Sequence, residues 1–159
     1  MIEPRIVHRG VTRCVGQTLS MSILQNRTAE LWRQFSPKVH QISNRINADR
    51  ISLQVYPTSY FNVFDPHQIF EKWALVEVSN EQDIPSGMQS FVIEEGLYAV
   101  FDYKGPSNDP SIFQYIYSRW IPNSIYRLDD RPHFEVLGAA YKNNDPSSEE
   151  EIWIPIIQK

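Results

Sequence analysis

Apolar and polar residues alternate along much of the first half of the chain, which predicts a protein rich in β-strands. Residues 5–19 alternate with a break at Gly10, a pattern typical of a strand or a bulged strand. Residues 51–56 and 72–79 alternate in the same way and are joined by a proline-containing loop. Between the first and second strands, residues 27–46 place apolar residues at spacings of three and four. This predicts an amphipathic helix, with an interruption at its internal proline.

The second half of the chain repeats this order of elements. Residues 90–103 alternate as a strand. A helix is predicted from an N-cap at Asp109 to Pro122, where a missing backbone N–H favours its end. Two more strands are predicted over 133–142 and 150–157. Each half therefore has the order strand, helix, strand, strand.

The matching order of elements predicts a duplicated module. Trp73 and Trp153 occupy corresponding places in the two halves, which we assign to about 1–80 and 88–159. One half alone would leave a face of its sheet uncovered, and pairing the halves buries that face and forms a cleft. We therefore predict a single α+β domain over 1–159. Its duplicated β-α-β-β modules form one antiparallel sheet with two main helices and a central cleft on a pseudo-twofold axis.

Composition narrows the class of protein. Hydrophobic residues make up 42% of the 159 residues, enough for a sizeable buried core. The net charge of −4 excludes a generally basic nucleic-acid coat, although the first fifty residues carry an excess of Lys and Arg. The single cysteine, Cys14, excludes an intramolecular disulfide framework. With no apolar run of bilayer length and no signal-peptide pattern, we expect a cytoplasmic protein without a membrane partner.

Several catalytic and metal-binding chemistries have no counterpart in the sequence. The four histidines have no metal-ligand spacing, and the six glycines form no phosphate-binding loop. A nucleophile elbow is also absent. We therefore expect no metal and no cofactor, and any catalysis would rest on carboxylates and aromatic side chains.

The C-terminal segment 149–156 combines an acidic run with alternating isoleucines. Period-two alternation places its three isoleucines on one face, which we expect to pack against the helices, and Glu151 and Trp153 on the other. If that second face lines the cleft, a carboxylate beside an indole suits a lipophilic cation. Burial there would also raise the pKa of Glu151 and make it a general base. The alternative is that the acidic run is a solvated turn and Trp153 is a core residue.

Several segments of the chain carry a resemblance to one known family. They are HFEVLG (133–138), NDP (144–146), EEEIWIPI (149–156), GLYAVF (96–101) with Gly105-Pro106, RWIP (119–122) and KWALVEV (72–78). Together they resemble the GyrI-like domains, which are the effector-binding domains of AraC- and MerR-type multidrug regulators and of related stand-alone proteins. The resemblance spans nearly the whole chain and implies a single GyrI-like domain with the duplicated fold.

The resemblance also implies a hydrophobic central cleft with a glutamate that meets cationic ligands. The matching position is Glu151, with its neighbour Glu150 as the open alternative. One position departs from the family, because Leu75 stands where the third strand often carries glycine, and a bulkier side chain would narrow the cleft.

We expect four aromatic residues to bind the ligand together with Glu151. Trp73 and Trp153 lie on strands in corresponding places, and Tyr56 ends a strand from which it could reach the cleft. Trp120 lies on the apolar stripe of the second helix. For each of them the alternative is a plain core position.

Three functions remain open at this point. The leading one is stand-alone binding of lipophilic, cationic or aromatic small molecules. Because the first strand begins at Arg5, we expect no DNA-binding segment and no direct nucleic-acid binding. The resemblance implies two alternatives: a hydrolase of cyclopropane-bearing genotoxins with Glu151 as general base, and a protein inhibitor of the DNA gyrase type, which would need a protein partner. Whether the protein is an enzyme is left open.

Overall fold

The alternating segments form nine β-strands in the computed structural model, which describes residues 2–159. The strands are β1 (Arg5–Arg9), β2 (Thr12–Met21), β3 (Arg50–Val55), β4 (Phe70–Glu77), β5 (Gln89–Ile93), β6 (Gly96–Lys104), β7 (Tyr126–Leu128), β8 (His133–Leu137) and β9 (Glu149–Gln158). The predicted break at Gly10 separates β1 from β2. A second break, at 94–95, divides the predicted strand 90–103 into β5 and β6.

The first helical segment is shorter than its apolar pattern predicts. Helix α1 spans Thr28–Phe35 and continues as a 3-10 helix over Ser36–Gln41. Pro37 lies at the start of the 3-10 part, where its missing N–H is tolerated. Ile42 then adopts an extended backbone, and Ile46 is 55% exposed. The predicted helix over 27–46 therefore ends at Gln41, and Ile46 does not belong to its buried stripe.

The second helical segment begins and ends close to the predicted positions. Helix α2 spans Ser111–Tyr115, a π-helical turn covers Ile116–Trp120, and a short helix α3 covers Ile121–Asn123. The Asp109 carboxylate accepts a hydrogen bond from the Ser111 backbone N–H at 3.0 Å, as expected near a helix start. The segment runs one residue past Pro122, because the proline sits in the first turn of α3.

The strands pair in an order that reads alike from both ends. The order is β1-β6-β9-β8-β3-β4-β2-β5, all pairs are antiparallel, and β7 adds to β9. Exchanging β1 with β5, β2 with β6, β3 with β8 and β4 with β9 gives the same order read from the other end of the sheet. The central pair β3–β8 joins the two halves. The predicted fold class is confirmed, whereas the bounds of the two repeats stay a prediction.

Both faces of this sheet carry apolar clusters. On one face, here called the helix face, α1 packs on β2 and β4, and the second helical segment packs on β6 and β9. The isoleucines Ile152, Ile154 and Ile156 belong to the second contact, as predicted. The other face, here called the inner face, holds Trp73 and Trp153 in a cluster with residues from almost every strand.

The centre of the helix face lies between the two helical segments. Apart from Leu137, its side chains on β3 and β8 are polar, and none of them belongs to a helix-packing cluster. The fold therefore leaves a cleft there, with the sheet as its floor. In the part of the chain that the structure describes, no helix is both long and apolar enough to span a membrane.

Candidate functional site

Five polar side chains cross the sheet between the helical segments, and we call them the polar floor. They are Lys72 on β4, Gln54 on β3, His133 and Glu135 on β8, and Glu150 on β9. Their positions follow from strand register, because Gln54 is paired with both Lys72 and His133 and so shares a face with them. Glu135 and Glu150 each lie two residues from another residue of that face.

Gln54 connects the charged residues of the polar floor. When its amide is oriented so that each atom meets a complementary partner, its nitrogen donates to Glu135 Oε2 at 3.1 Å and to the His133 carbonyl at 3.0 Å. Its oxygen then accepts a hydrogen bond from Lys72 Nζ. Gln54 is only 5% exposed, so these contacts replace hydration that its amide lacks.

The polar floor contains two acids and one base. Burial raises the pKa of Glu135, and the Lys72 ammonium and the Gln54 amide oppose that rise. Burial likewise lowers the pKa of Lys72, against the pull of both carboxylates. Burial and the Glu135 charge together raise the pKa of Glu150 to about 7. With all three groups ionised the floor carries a net charge of −1.

Aromatic rings form a wall above the polar floor. Phe61, from the loop between β3 and β4, stacks on the His133 imidazole with centroids 5.2 Å apart and lies 4.8 Å from the Tyr117 ring. Tyr56 meets the same imidazole edge-on at 5.0 Å. Tyr60 packs against Tyr56 at 4.4 Å. We call Tyr56, Tyr60, Phe61 and Tyr117 the aromatic wall.

His133 joins the wall to the floor as a neutral ring. Burial lowers its pKa to about 3, with a smaller contribution from the Arg131 charge. The His133 Nδ1 atom is 2.8 Å from the Tyr117 hydroxyl oxygen, so one of the two groups donates to the other. A neutral imidazole adds a further flat ring to the cleft without adding positive charge.

Solvent reaches this cleft. Glu135 and Lys72 keep partial exposure although protein atoms surround them on nearly all sides, which is the geometry of a cleft floor. Phe61 is 40% exposed at the outer edge. A surface depression of about 430 Å³ at the start of β9 is lined by Glu149, Glu150 and Glu151 together with Tyr103 and others, so it meets β9 from both of its faces.

The structure separates the residues that the sequence analysis grouped into one site. Glu151, Trp153 and Trp73 lie on the inner face, because period-two alternation places them opposite the residues that meet the helices. Tyr56 belongs to the aromatic wall. Trp120 packs edge-on against Phe101 at 5.4 Å and stacks on Tyr126 at 6.2 Å. Leu75, expected to narrow the cleft, is fully buried on the inner face instead.

The carboxylate of Glu151 already has partners within the chain. Arg5 Nη2 donates to its Oε2 at 2.9 Å, and Trp153 Nε1 donates to its Oε1 at 3.1 Å. The guanidinium of Arg9 lies 4.7 Å from the centre of the Trp153 ring. The carboxylate and indole that predicted a site for a foreign cation are thus both engaged by arginines of β1. A ligand at Glu151 stays a prediction.

The inner face also has a small polar cavity of about 170 Å³, lined by Arg9, Asp49, Glu77 and Glu151 among others. It is smaller than the depression at Glu150 and has no aromatic lining. Across residues 2–159, no three or more His, Cys, Asp or Glu side chains are grouped so that they could hold a metal ion.

The sequence analysis missed Lys72, Glu135 and Tyr117 as residues of the cleft. One signal was available, because Lys72 and Glu135 are charged residues inside largely apolar strands. Lys72 shares its face with Ala74 two residues later, and Glu135 is paired with Ile152. A charged side chain at such a position is costly to bury without a partner. The aromatic wall had no comparable signal, since Tyr60 and Phe61 lie in a loop.

Comparison with known proteins relates the chain to small-molecule binding domains. A family model described as GyrI-like small molecule binding domain matches residues 2–157. The transcriptional regulator BrlR of Pseudomonas aeruginosa is 28% identical over 159 residues, and the match covers 98% of the chain and 56% of BrlR. The chain thus spans about half the length of this relative.

Solved structures share the fold at low sequence identity. The structure of SAV2435 bound to tetraphenylphosphonium superposes with a TM-score of 0.69 at 17% identity, covering 98% of the chain and 94% of SAV2435. A hydrolase encoded by lin2189 from Listeria innocua has a TM-score of 0.65 at 11% identity, covering 98% and 92%. These likenesses establish the architecture of the chain.

Proposed function

The chain belongs to the family of GyrI-like small-molecule binding domains, and on that premise we propose that it binds lipophilic cations in the cleft between its helical segments. The observation that carries this proposal is the polar floor, in which the Glu135 carboxylate lies near Tyr56 and Tyr117 of the aromatic wall and Glu150 lies near Glu135. SAV2435, which has the same fold, is a protein bound to tetraphenylphosphonium, a cation of this class.

Charge favours a cationic ligand. Glu135 and Glu150 face a single ammonium group, that of Lys72, so one negative charge has no counterpart when all three are ionised. An unpaired carboxylate in a partly buried cleft is costly, and a ligand cation that replaces its lost hydration lowers that cost. Glu150 lines the depression at the start of β9, as do Glu149 and Glu151, and the carboxylate of Glu151 is already engaged by Arg5 and Trp153.

The aromatic wall favours a ligand with flat or ring-bearing apolar parts. Tyr56, Phe61 and Tyr117 present ring faces and edges within one cluster. Ring stacking and cation–π attraction contribute about 0.5–2 kcal/mol for each favourable contact. A neutral aromatic molecule would use these rings without using the acids, so it should bind more weakly than a cation of equal size.

Calorimetric titration with tetraphenylphosphonium and with neutral triphenylphosphine oxide tests this proposal. Glu150→Gln keeps the shape of the side chain and removes its charge. We expect this variant to lower the affinity for tetraphenylphosphonium by about tenfold, the size of one lost charge-assisted contact. The affinity for the neutral compound should stay unchanged.

Glu151→Gln is the matched control, because it makes the same change one residue later on the opposite face of the same strand. We expect it to leave the affinity for tetraphenylphosphonium unchanged. If Glu151→Gln weakens the cation and Glu150→Gln does not, the ligand lies on the inner face, where the sequence alone placed it.

A second candidate function is hydrolysis, favoured by the pKa of about 7 at Glu150. A general base works best when its pKa lies near the working pH. In the hydrolysis of a cyclopropane-bearing genotoxin, Glu150, in place of Glu151, would be the general base. It would take a proton from water as the water oxygen attacks a cyclopropane carbon. The strained carbon–carbon bond breaks, and the proton passes to the released carbon. Mass spectrometry of a cyclopropane-bearing electrophile incubated with wild type and Glu150→Gln tests this: only wild type should add one water.

A further inference from the structure

Lys72 is an unexpected residue in a cleft proposed to bind cations. Its ammonium group repels any positively charged ligand, and burial makes its own charge costly to keep. It also has little freedom to leave, because its strand β4 is hydrogen-bonded on both sides, to β2 and to β3. A backbone contact holds the same residue, since the Thr18 hydroxyl donates to the Lys72 carbonyl at 3.0 Å.

The contacts of Lys72 pair it with one of the two acids. Lys72 Nζ donates to the Gln54 amide oxygen, and the Gln54 nitrogen donates to Glu135 Oε2 at 3.1 Å. A continuous chain of hydrogen bonds therefore joins the ammonium to Glu135. Glu150 takes no part in this chain of hydrogen bonds, and it lines the depression at the start of β9 together with Glu149, Glu151 and Tyr103. The structure thus distinguishes a carboxylate that is paired within the polar floor, Glu135, from one outside that pairing, Glu150.

We propose that Lys72 is a built-in counter-cation that neutralises Glu135 through Gln54, leaves Glu150 as the single carboxylate for the ligand, and so restricts the cleft to molecules with one positive charge. This inference rests on the proposed function, because it describes the charge that the same cleft accepts. Lys72 acts on the ligand through the charge balance of the polar floor and need not touch it.

The electrostatics of the two acids agree with this division. The charge of Glu135 is favoured by Lys72 and by Gln54 together, whereas that of Glu150 is favoured by Lys72 alone and opposed by Glu135. A dication would bring a second charge that finds no free carboxylate and meets the ammonium instead. The expected penalty applies to the second charge only, so monocations and dications with the same ring system should separate clearly.

Ethidium and propidium form a matched pair of probes, since they share a phenanthridinium ring and carry one and two positive charges. Their affinities are measured by fluorescence titration at about pH 8.5, where Glu150 is ionised. For the wild type we expect propidium to bind several-fold more weakly than ethidium, because its second charge meets the Lys72 ammonium. Lys72→Met removes the ammonium at similar length, and we expect it to raise the propidium-to-ethidium affinity ratio about tenfold.

Two further variants keep the test decisive. In Glu135→Gln, the Lys72 ammonium has only Glu150 as a counter-charge. The affinity for both dyes should therefore fall at least about tenfold, although Glu150 is intact. The double variant Lys72→Met with Glu135→Gln removes one charge of each sign and leaves neither group of this pair without its partner. It should return the affinity ratio to the wild-type value, and it provides the readout if Lys72→Met alone fails to fold.

The outcomes separate the two proposals. If wild type binds neither dye and does not bind tetraphenylphosphonium, the proposed function fails and this inference fails with it. If wild type binds both dyes and Glu150→Gln weakens them, the function stands. In that case an unchanged ratio in Lys72→Met, or a double variant whose ratio departs from wild type, overturns the role of Lys72 alone.

Discussion

Trp73 and Trp153 make the same hydrogen bond on corresponding strands. Trp73 Nε1 donates to Glu71 Oε1 at 3.0 Å, and Trp153 Nε1 donates to Glu151 Oε1 at 3.1 Å. Both indoles are almost completely buried on the inner face, so each needs an acceptor for its N–H. A contact present in both halves is best explained as this structural requirement, and it gives Glu151 a role that involves no ligand.

Cation binding should depend on pH through Glu150. Its pKa of about 7 means that the carboxylate is mostly protonated below neutrality and charged above it. A cation prefers the charged form, so affinity for tetraphenylphosphonium should rise about tenfold from about pH 6 to about pH 8. Calorimetry at several pH values measures this, and triphenylphosphine oxide should show no rise. A rise that persists in Glu150→Gln would assign the titration to another group.

Glu150 should also make the unliganded protein less stable as the pH increases. Folding raises the pKa of this carboxyl from 4.5 to about 7, so the folded state holds the proton more tightly. Its stabilising contribution is complete below the unfolded pKa and is lost as the pH rises through about 7. Urea denaturation should therefore show Glu150→Gln gaining roughly 1–3 kcal/mol relative to wild type between about pH 5 and about pH 8.

His133 contributes with the opposite sign but does not obscure that comparison. Its pKa falls from 6.5 to about 3 on folding, so its contribution is lost as the pH falls between those values. Because His133 is present in both proteins, its effect cancels in the difference between them. Parallel stability curves for wild type and Glu150→Gln would contradict the assignment of the raised pKa to Glu150.

Phe61 and Phe64 test the aromatic wall from a single loop. Phe61 stacks on His133, whereas Phe64 is 78% exposed. We expect Phe61→Ala to lower the free energy of unfolding by about 1 kcal/mol and the affinity for tetraphenylphosphonium several-fold, because it removes ring contacts in the cleft. Phe64→Ala should change either quantity very little. Calorimetry measures the affinity and thermal unfolding measures the stability. Equal losses in the two variants would mean that the loop acts as a whole and not through Phe61.

Gly16 should be intolerant of any side chain. A Cβ atom at Gly16 would overlap the carbonyl oxygen of Ala74 on the neighbouring strand, whereas one at Gly10 would meet nothing within 4 Å. Backbone atoms in the middle of a sheet have little room to move. We therefore expect Gly16→Ala to destabilise the protein by about 2–4 kcal/mol and Gly10→Ala by less than about 0.5 kcal/mol in urea denaturation. A small loss at Gly16 would show that β2 and β4 can separate locally.

The sequence predicted most of the strands, because alternation reports which residues share a face. It correctly assigned the isoleucines of β9 to the helices. It could not tell which face of β9 borders the cleft, because both faces of the sheet are covered and Glu150 and Glu151 differ only by one step of the alternation. The choice between them depends on where the helices leave the floor open, which is a property of the tertiary structure.

The helix ends and the aromatic wall were predicted less well for a related reason. Ile42 and Ile46 continue the apolar spacing of α1, yet the helical segment ends at Gln41 and Ile42 has an extended backbone. The apolar spacing therefore extends beyond the helix. Phe61 reaches His133 only because the loop between β3 and β4 folds over the sheet. Loop conformation depends on contacts between residues distant in sequence, which a single sequence does not reveal.

The strand order of the sheet is symmetric, but the charges of the polar floor are not. Lys72 and Gln54 come from the first half of the chain, and Glu135 and Glu150 come from the second. Rotating an elongated ligand end for end in the cleft would therefore exchange a carboxylate neighbour for an ammonium neighbour. The symmetric scaffold thus gives the cleft a polarity: a ligand with one charged end should bind in a single direction, with that end toward Glu150.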